Sequence, residues 1–288
     1  MGAIYRRELN SYFQSMTGYV FVAFMVVIAG IYFMAYNLNA GYPYFSYSLS
    51  GLLFVLIIAV PVLTMKSFAE ERKNRTDQLL LTSPVGLFSI VMGKYFAMMT
   101  VMAIPNLIYC LFPLIIKSQG TAYLRTDYLA IFAFFLLGCV YIGIGMFLSS
   151  LTESQVIAAV SSIGVLLVLY LWDGILSYIP ENALSGLIGA ICLLTLAVLF
   201  VYKITESVLL SVGIEIVGLA SFAAVYLVKP ALFEHLLTNI FGKFVLYTTF
   251  TDIESSHIFD LGGILFYLSL IAVFLFLTIQ VIQKRRWS

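Results

Sequence analysis

Apolar residues fill this chain in long unbroken runs, and polar residues are confined to short intervals between them. The runs fall at about 18–36, 52–65, 88–116, 128–149, 156–172, 184–202, 208–228 and 261–282. A hydrocarbon core about 30 Å thick needs about 20 apolar helical residues to cross it, so each run predicts a membrane span. No stretch shows the apolar-polar alternation of an outer-membrane barrel strand, and in lipid only a helix satisfies its own backbone groups otherwise. The pattern predicts an all-α, polytopic transmembrane helical bundle of about eight spans, forming a single domain over residues 1–288.

Composition narrows the class. The chain is 62% hydrophobic and only 10% charged, with a mean hydropathy of +1.05, against about 25% charged residues in soluble domains. No room is left for a sizeable soluble domain. With both termini in the cytoplasm, 11 of the 15 Lys and Arg residues fall inside and 4 outside, as the bias of basic residues toward cytoplasmic loops requires. The apolar run after Arg6 and Arg7 has full span length and no small-residue cleavage site follows it, so it predicts a retained first helix rather than a cleaved leader. Ahead of it, Ile4, Tyr5, Glu8, Leu9, Tyr12 and Phe13 recur at three- and four-residue spacing. This predicts an amphipathic helix over residues 1–15, with Arg6, Arg7 and Glu8 as its charges, lying on the inner membrane lipid surface.

The densest polar stretch is the island 66–87, KSFAEERKNRTDQLLLTSPVGL, on the cytoplasmic side in this topology. Thr76 can cap a helix, Asp77 sits near its positive end, and Pro84 stops it after Gln78, Leu79, Leu80, Leu81 and Thr82. The leucines of such a two-turn helix need a cover, either lipid headgroups or the groove of a soluble partner.

The motif EERKNRTDQLLLTSPV at 70–85 resembles the coupling loop of ABC-2-type transporter permeases, an acidic and basic run followed by T-x-x-x-L-L-x-[ST]-x-P. YRRELNSYF at 5–13 is similar to that family's amphipathic leading helix, and 265–287, ending KRRW, to its last span. Within the family the likeness is closest to the gliding-motility-associated branch. The resemblance implies a permease subunit of a bacterial cytoplasmic-membrane exporter. It would pair with a second permease copy or paralogue, bind two cytoplasmic ATPase subunits that carry ATP and magnesium, and possibly meet an accessory extracytoplasmic protein. Glu70, Glu71, Arg72, Arg75, Thr76, Asp77, Gln78, Leu79 and Leu80 would form the ATPase-coupling surface, with Glu153 in the turn 152–155 as a further contact. Glu70, Glu71 and Arg75 would brace the coupling helix by ion pairs with the leading helix or the ATPase. The family commonly has six spans, so 184–228 reads as an extra pair inserted before the last one.

The chain supplies no motor of its own. A phosphate-cradling loop needs G-x-x-x-x-G-K-[ST], and neither Gly93-Lys94 nor Gly242-Lys243 has the preceding glycine or the following hydroxyl residue. No cofactor is expected on this polypeptide, and nucleic acid is not an expected partner. The fragment E-E-x-x-x-R at 70–75 is shared with prenyl-protein (CAAX-type) intramembrane proteases, but His235 and His257 fall on the opposite side of the membrane from those glutamates. An ion-coupled secondary transporter is the third reading.

No metal site is expected, because His257 and Asp260 lack further ligands to complete a shell. Cys110, Cys139 and Cys192 lie singly in separate spans and read as small apolar residues. Glu215, inside the seventh span, is a possible pathway residue, or else a partner of Lys203. The external segment 229–260 carries Leu232, Phe233, Leu236, Leu237, Ile240 and Phe241 at helical spacing, and by family analogy reads as a gate over the exit. Gly138, Gly143, Gly145, Gly186 and Gly189 would allow close helix packing, within the chain or across a permease dimer.

Overall fold

The structure, a computed structural model, describes residues 1–76, 86–256 and 261–286. Among these residues the chain is an all-α, polytopic helical bundle, with eight helical segments long and apolar enough to cross a membrane. An amphipathic α1 (Gly2–Gln14) leads into α2 (Thr17–Phe33), which continues as a π-helical turn over Met34–Asn39. Then come α3 (Ser46–Thr64), the short α4 (Ala69–Lys73), α5 (Leu87–Tyr109), α6 (Phe112–Gln119), α7 (Leu124–Leu151) and α8 (Gln155–Leu176). The remainder holds α9 (Ala183–Thr205), α10 (Val208–Val228), α11 (Leu236–Phe241), α12 (Thr248–Ser256) and α13 (Leu261–Arg286).

The chain divides into two compact units, Met1–Val168 with Tyr247–Ser288, and Leu169–Leu246, so the boundary falls within α8. In the first unit α7 is the central helix and packs against α3, α5, α12 and α13. Its small residues permit close approach: a Cβ on Gly138 would lie 2.5 Å from Met102 Cε, and one on Gly145 would lie 2.2 Å from Thr64 Oγ1. A Cβ on Gly143 would touch Phe274 at 3.6 Å. These glycines thus serve contacts within the chain.

Two polar residues set where α3 begins, six residues before the apolar run that predicted it. Asn37 donates from Nδ2 to the carbonyls of Tyr42 and Tyr44 at 2.8 and 2.9 Å and accepts from Ser48 Oγ at 2.7 Å. Asp127, fully buried at the start of α7, accepts the N–H groups of Phe45 and Ser46 at 2.8 and 3.3 Å. These are first-turn donors with no partner inside their own helix, and a carboxylate from another helix takes the place of a local cap. The run predicted as one span at 88–116 is likewise two helices. Pro113, in the first turn of α6, has no N–H to continue the ladder from α5.

In the second unit α9 and α10 pair with each other and with the segment that follows them. The backbone of Pro230–Phe233 presses so closely on α9 that a Cβ on Gly186 would lie 1.8 Å from the Phe233 carbonyl oxygen. Phe233 is buried against the rings of Phe222 and Tyr226, and Trp172 Nε1 donates to the Phe241 carbonyl at 2.9 Å. The segment 229–260 is therefore divided between the units. Pro230–Phe233 and α11 belong to the second, whereas α12 belongs to the first and buries Phe250 and Ile253.

Candidate functional site

The half of the charged island that is described folds onto α1 and α5. Helix α1 lays one side on α5, and the side it covers is Ile4, Tyr5, Glu8, Leu9, Tyr12 and Phe13. Gly93 of α5 permits the approach, since a Cβ there would lie 3.0 Å from Ile4 Cγ2. Tyr5 and Thr100 share a hydroxyl hydrogen bond of 3.0 Å. The buried Tyr12 hydroxyl donates to the Leu63 carbonyl at 3.1 Å, and burial together with the nearby carboxylates of Glu8, Glu70 and Glu71 raises its pKa.

Glu8 sits within this apolar contact because Lys94 lies beneath it. The Lys94 side chain is only 2% exposed, and its Nζ meets Glu8 Oε1 at 3.2 Å and Glu71 Oε1 at 2.9 Å. Arg7 closes the ring from outside, at 2.6 Å from Glu8 and 3.2 Å from Glu71. Two cations and two carboxylates thus neutralise one another at the junction of α1, α4 and α5. The hydrogen bond to Glu8, aided by the field of both carboxylates, raises the Arg7 pKa further above its ordinary value. Lys94 also stands over the Phe68 ring at 5.3 Å, within cation–π range.

A second set of bonds ties α4 to the turn between α7 and α8. Ser149 Oγ donates to the Met65 carbonyl at 3.1 Å and accepts the N–H groups of Phe68 and Ala69 at 3.3 and 3.2 Å, capping α4 from another helix. Arg72 is buried and donates from Nη1 to the Thr152 carbonyl at 2.8 Å. That bond anchors the turn carrying Glu153, which is itself exposed, and directs Arg72 inward rather than toward a soluble partner. Helix α4 ends in a Schellman arrangement, with the N–H of Thr76 bonded to the Glu71 carbonyl at 2.9 Å and that of Arg75 to the Arg72 carbonyl at 3.0 Å. Arg75 takes the left-handed position at φ +57°, and the Thr76 hydroxyl donates back to the Glu71 carbonyl at 3.2 Å.

The structure therefore brings Arg7, Glu8 and Glu71 together, with Arg72 and the Glu153 turn joined on the other side of α4. Arg6 and Arg75 are exposed, and Glu70 is half-buried without an ion pair among the described residues. Asp77, Gln78, Leu79 and Leu80, with the helix expected over 76–82, lie outside the described residues beyond Thr76, as do His257 and Asp260. Glu215 is half-buried on α10 and makes no ion pair with Lys203 among the described residues. Lys94 is the member of this charge cluster that sequence reasoning missed. Its signal was a lone cation eight residues into an apolar helix, at one helical turn from Ile90 and Met98, both of which are buried.

A protein-family comparison matches residues 3–188 to the ABC-2 family transporter protein. The chain belongs to the ABC-2 transporter family. The matched region runs from α1 through α8 and stops early in α9, so it contains the α1–α4–α5 charge cluster and ends where the second unit's paired helices begin. No curated protein matches the chain. As an ABC-2 protein it is a multi-pass membrane permease component of an ABC transporter, a family whose members associate with ABC ATPases. Within this ABC-2 chain Glu71 Oε1 is already engaged by both Lys94 and Arg7.

Proposed function

We propose that this chain is the permease subunit of an ATP-driven exporter of the bacterial cytoplasmic membrane, with both termini cytoplasmic. It works as a dimer with a second copy or a paralogue, each half served by one of two ATPase subunits that bind ATP and magnesium. An accessory extracytoplasmic protein completes the assembly, and the segment 229–260 gates the exit. The likeness of 5–13 and 265–287 to the gliding-motility-associated branch supports placing it there.

The observation that carries this reading is the double anchoring of α4. An element that merely filled a loop would have no need of a buried lysine on one side and a buried arginine on the other. Helix α4 is held by Lys94 and Arg7 toward α1 and α5, and by Arg72 and Ser149 toward the α7–α8 turn. A push delivered by an ATPase at Thr76 would pass through α4 into α1, α5 and α7. Glu153 and Arg75, both exposed, are the outer contacts of this lever, and Glu215 lines the pathway.

Affinity capture of the tagged chain from its native membranes tests the reading. The expected result is co-capture of an ATPase, its loss on Leu79→Asp with Leu80→Asp, and nucleotide-dependent export by the reconstituted complex. Transport by the purified chain without nucleotide, or driven by an ion gradient without any ATPase, would overturn it.

A further inference from the structure

At the end of the bundle where α1 lies, two cavities adjoin, and Ser15 and Lys66 line both. One is an apolar groove of about 480 Å³ walled by Val20 and Phe24 of α2 and by Ile58 and Val62 of α3. The other is a polar cavity of about 380 Å³ bounded by α1, α4 and the start of α5. Thr17 opens α2 and Lys66 lies two residues past the end of α3. The seam between the cavities therefore stands where two spans leave the apolar layer, at the depth of lipid headgroups.

The polar cavity holds three cations and three carboxylates: Arg7, Lys66 and Lys94 against Glu8, Glu70 and Glu71. Four of these are spent on one another in the Lys94–Arg7 cluster. Lys66 and Glu70 are left over. Lys66 Nζ has only the Thr17 hydroxyl at 3.1 Å, and neither residue makes an ion pair among the described residues. The unspent charge is one cation at the mouth of the groove and one anion farther into the polar cavity.

We propose that the two cavities form one site for a zwitterionic aminophospholipid of the phosphatidylethanolamine type. An acyl chain lies between α2 and α3, the phosphate meets Lys66 and the Thr17 hydroxyl, and the primary ammonium donates to Glu70. A phosphatidylglycerol headgroup would leave Glu70 unpaired and facing added negative charge. The trimethylammonium of phosphatidylcholine has no N–H to donate. The site would couple lipid occupancy to the position of α4, because Glu70 and Glu71 are neighbours on that helix. The inference needs only that the chain be embedded in lipid, so it stands or falls apart from the ATPase reading.

The test is photo-crosslinking of the full chain in phosphatidylcholine nanodiscs, with trace lipid probes carrying a diazirine in the acyl chain and differing only in headgroup. The phosphatidylethanolamine probe is expected to label residues 16–24 and 58–65 roughly threefold to tenfold more than either other probe, the range of one or two charge-assisted hydrogen bonds near a surface. Glu70→Gln should erase that preference, whereas Lys66→Gln, which removes a phosphate contact common to all three lipids, should lower labelling by every probe, and Lys66→Arg should retain both. Equal labelling by the phosphatidylcholine probe would show an unselective acyl groove and overturn the proposal. Stronger labelling by phosphatidylglycerol would show a site for anionic lipid alone, with the same consequence. The headgroup comparison on the wild-type chain decides the matter even if a variant does not fold.

Discussion

Replacing Lys94 by Met removes the one buried cation that α1 and α4 share among the described residues. At an effective dielectric of about 20, each contact, at 2.9 Å to Glu71 and 3.2 Å to Glu8, supplies about 5–6 kcal/mol of gross attraction. Desolvating the ammonium offsets several kcal/mol of that. The two carboxylates, 17% and 13% exposed, would keep only Arg7, whose side chain is 54% exposed and screened by water. Removing one partner of a buried charge cluster costs about 3–5 kcal/mol, and that is the destabilisation expected. Adding Glu71→Gln leaves Arg7 balanced by Glu8, so the double variant should recover about 1–3 kcal/mol as a coupling energy. Chemical unfolding in mixed micelles, followed by thiol labelling of the buried Cys139 in a background lacking the other two cysteines, measures both. A single variant within about 1 kcal/mol of wild type, or a double variant that is simply additive, would refute the view that Lys94 clamps the two helices.

Asp127→Ala should leave the Phe45 and Ser46 N–H groups unpaired and cost about 1–2 kcal/mol, whereas Asp127→Asn keeps an acceptor and should cost less. Amide exchange over residues 45–50 reads the difference. Glu254 accepts a hydrogen bond from Ser50 at 2.5 Å, and burial raises its pKa above the ordinary carboxylate value of 4.5. A carboxyl whose pKa is higher when docked binds its proton more tightly there, so docking of α12 on α3 is strongest below pH 4.5 and weakens as pH rises through the raised value. Protection factors at 248–254, taken after dividing out the intrinsic pH dependence of amide exchange, should fall from pH 4 toward pH 7.5, and Glu254→Gln should flatten that fall. Gly186→Ala would place a Cβ 1.8 Å from the Phe233 carbonyl oxygen and is expected to cost about 1–3 kcal/mol. Faster exchange at 230–241 with α3 and α7 unchanged is the expected signature, and uniform loosening of both units would contradict it.

The apolar runs alone determined that the chain is a helical membrane bundle. A stretch such as 208–228, apolar on every side, can satisfy its backbone and its side chains together only as a helix in lipid, and α10 has those bounds. The face of α1 that packs was also legible, because three- and four-residue spacing is a property of one helix and needs no knowledge of what covers it. Contacts between distant residues were not legible. The start of α3 at Ser46 depends on Asp127, 81 positions away, and the partner of Arg7 is Glu71, 64 positions away. Lys94 shows the limit clearly: in the sequence it follows a glycine and fails as part of a phosphate-binding loop. In three dimensions the same glycine lets α1 lie close enough for Glu8 to reach it. The division of 229–260 between two units was hidden for the same reason, since helical spacing identifies the side to be covered while only packing selects which neighbour covers it.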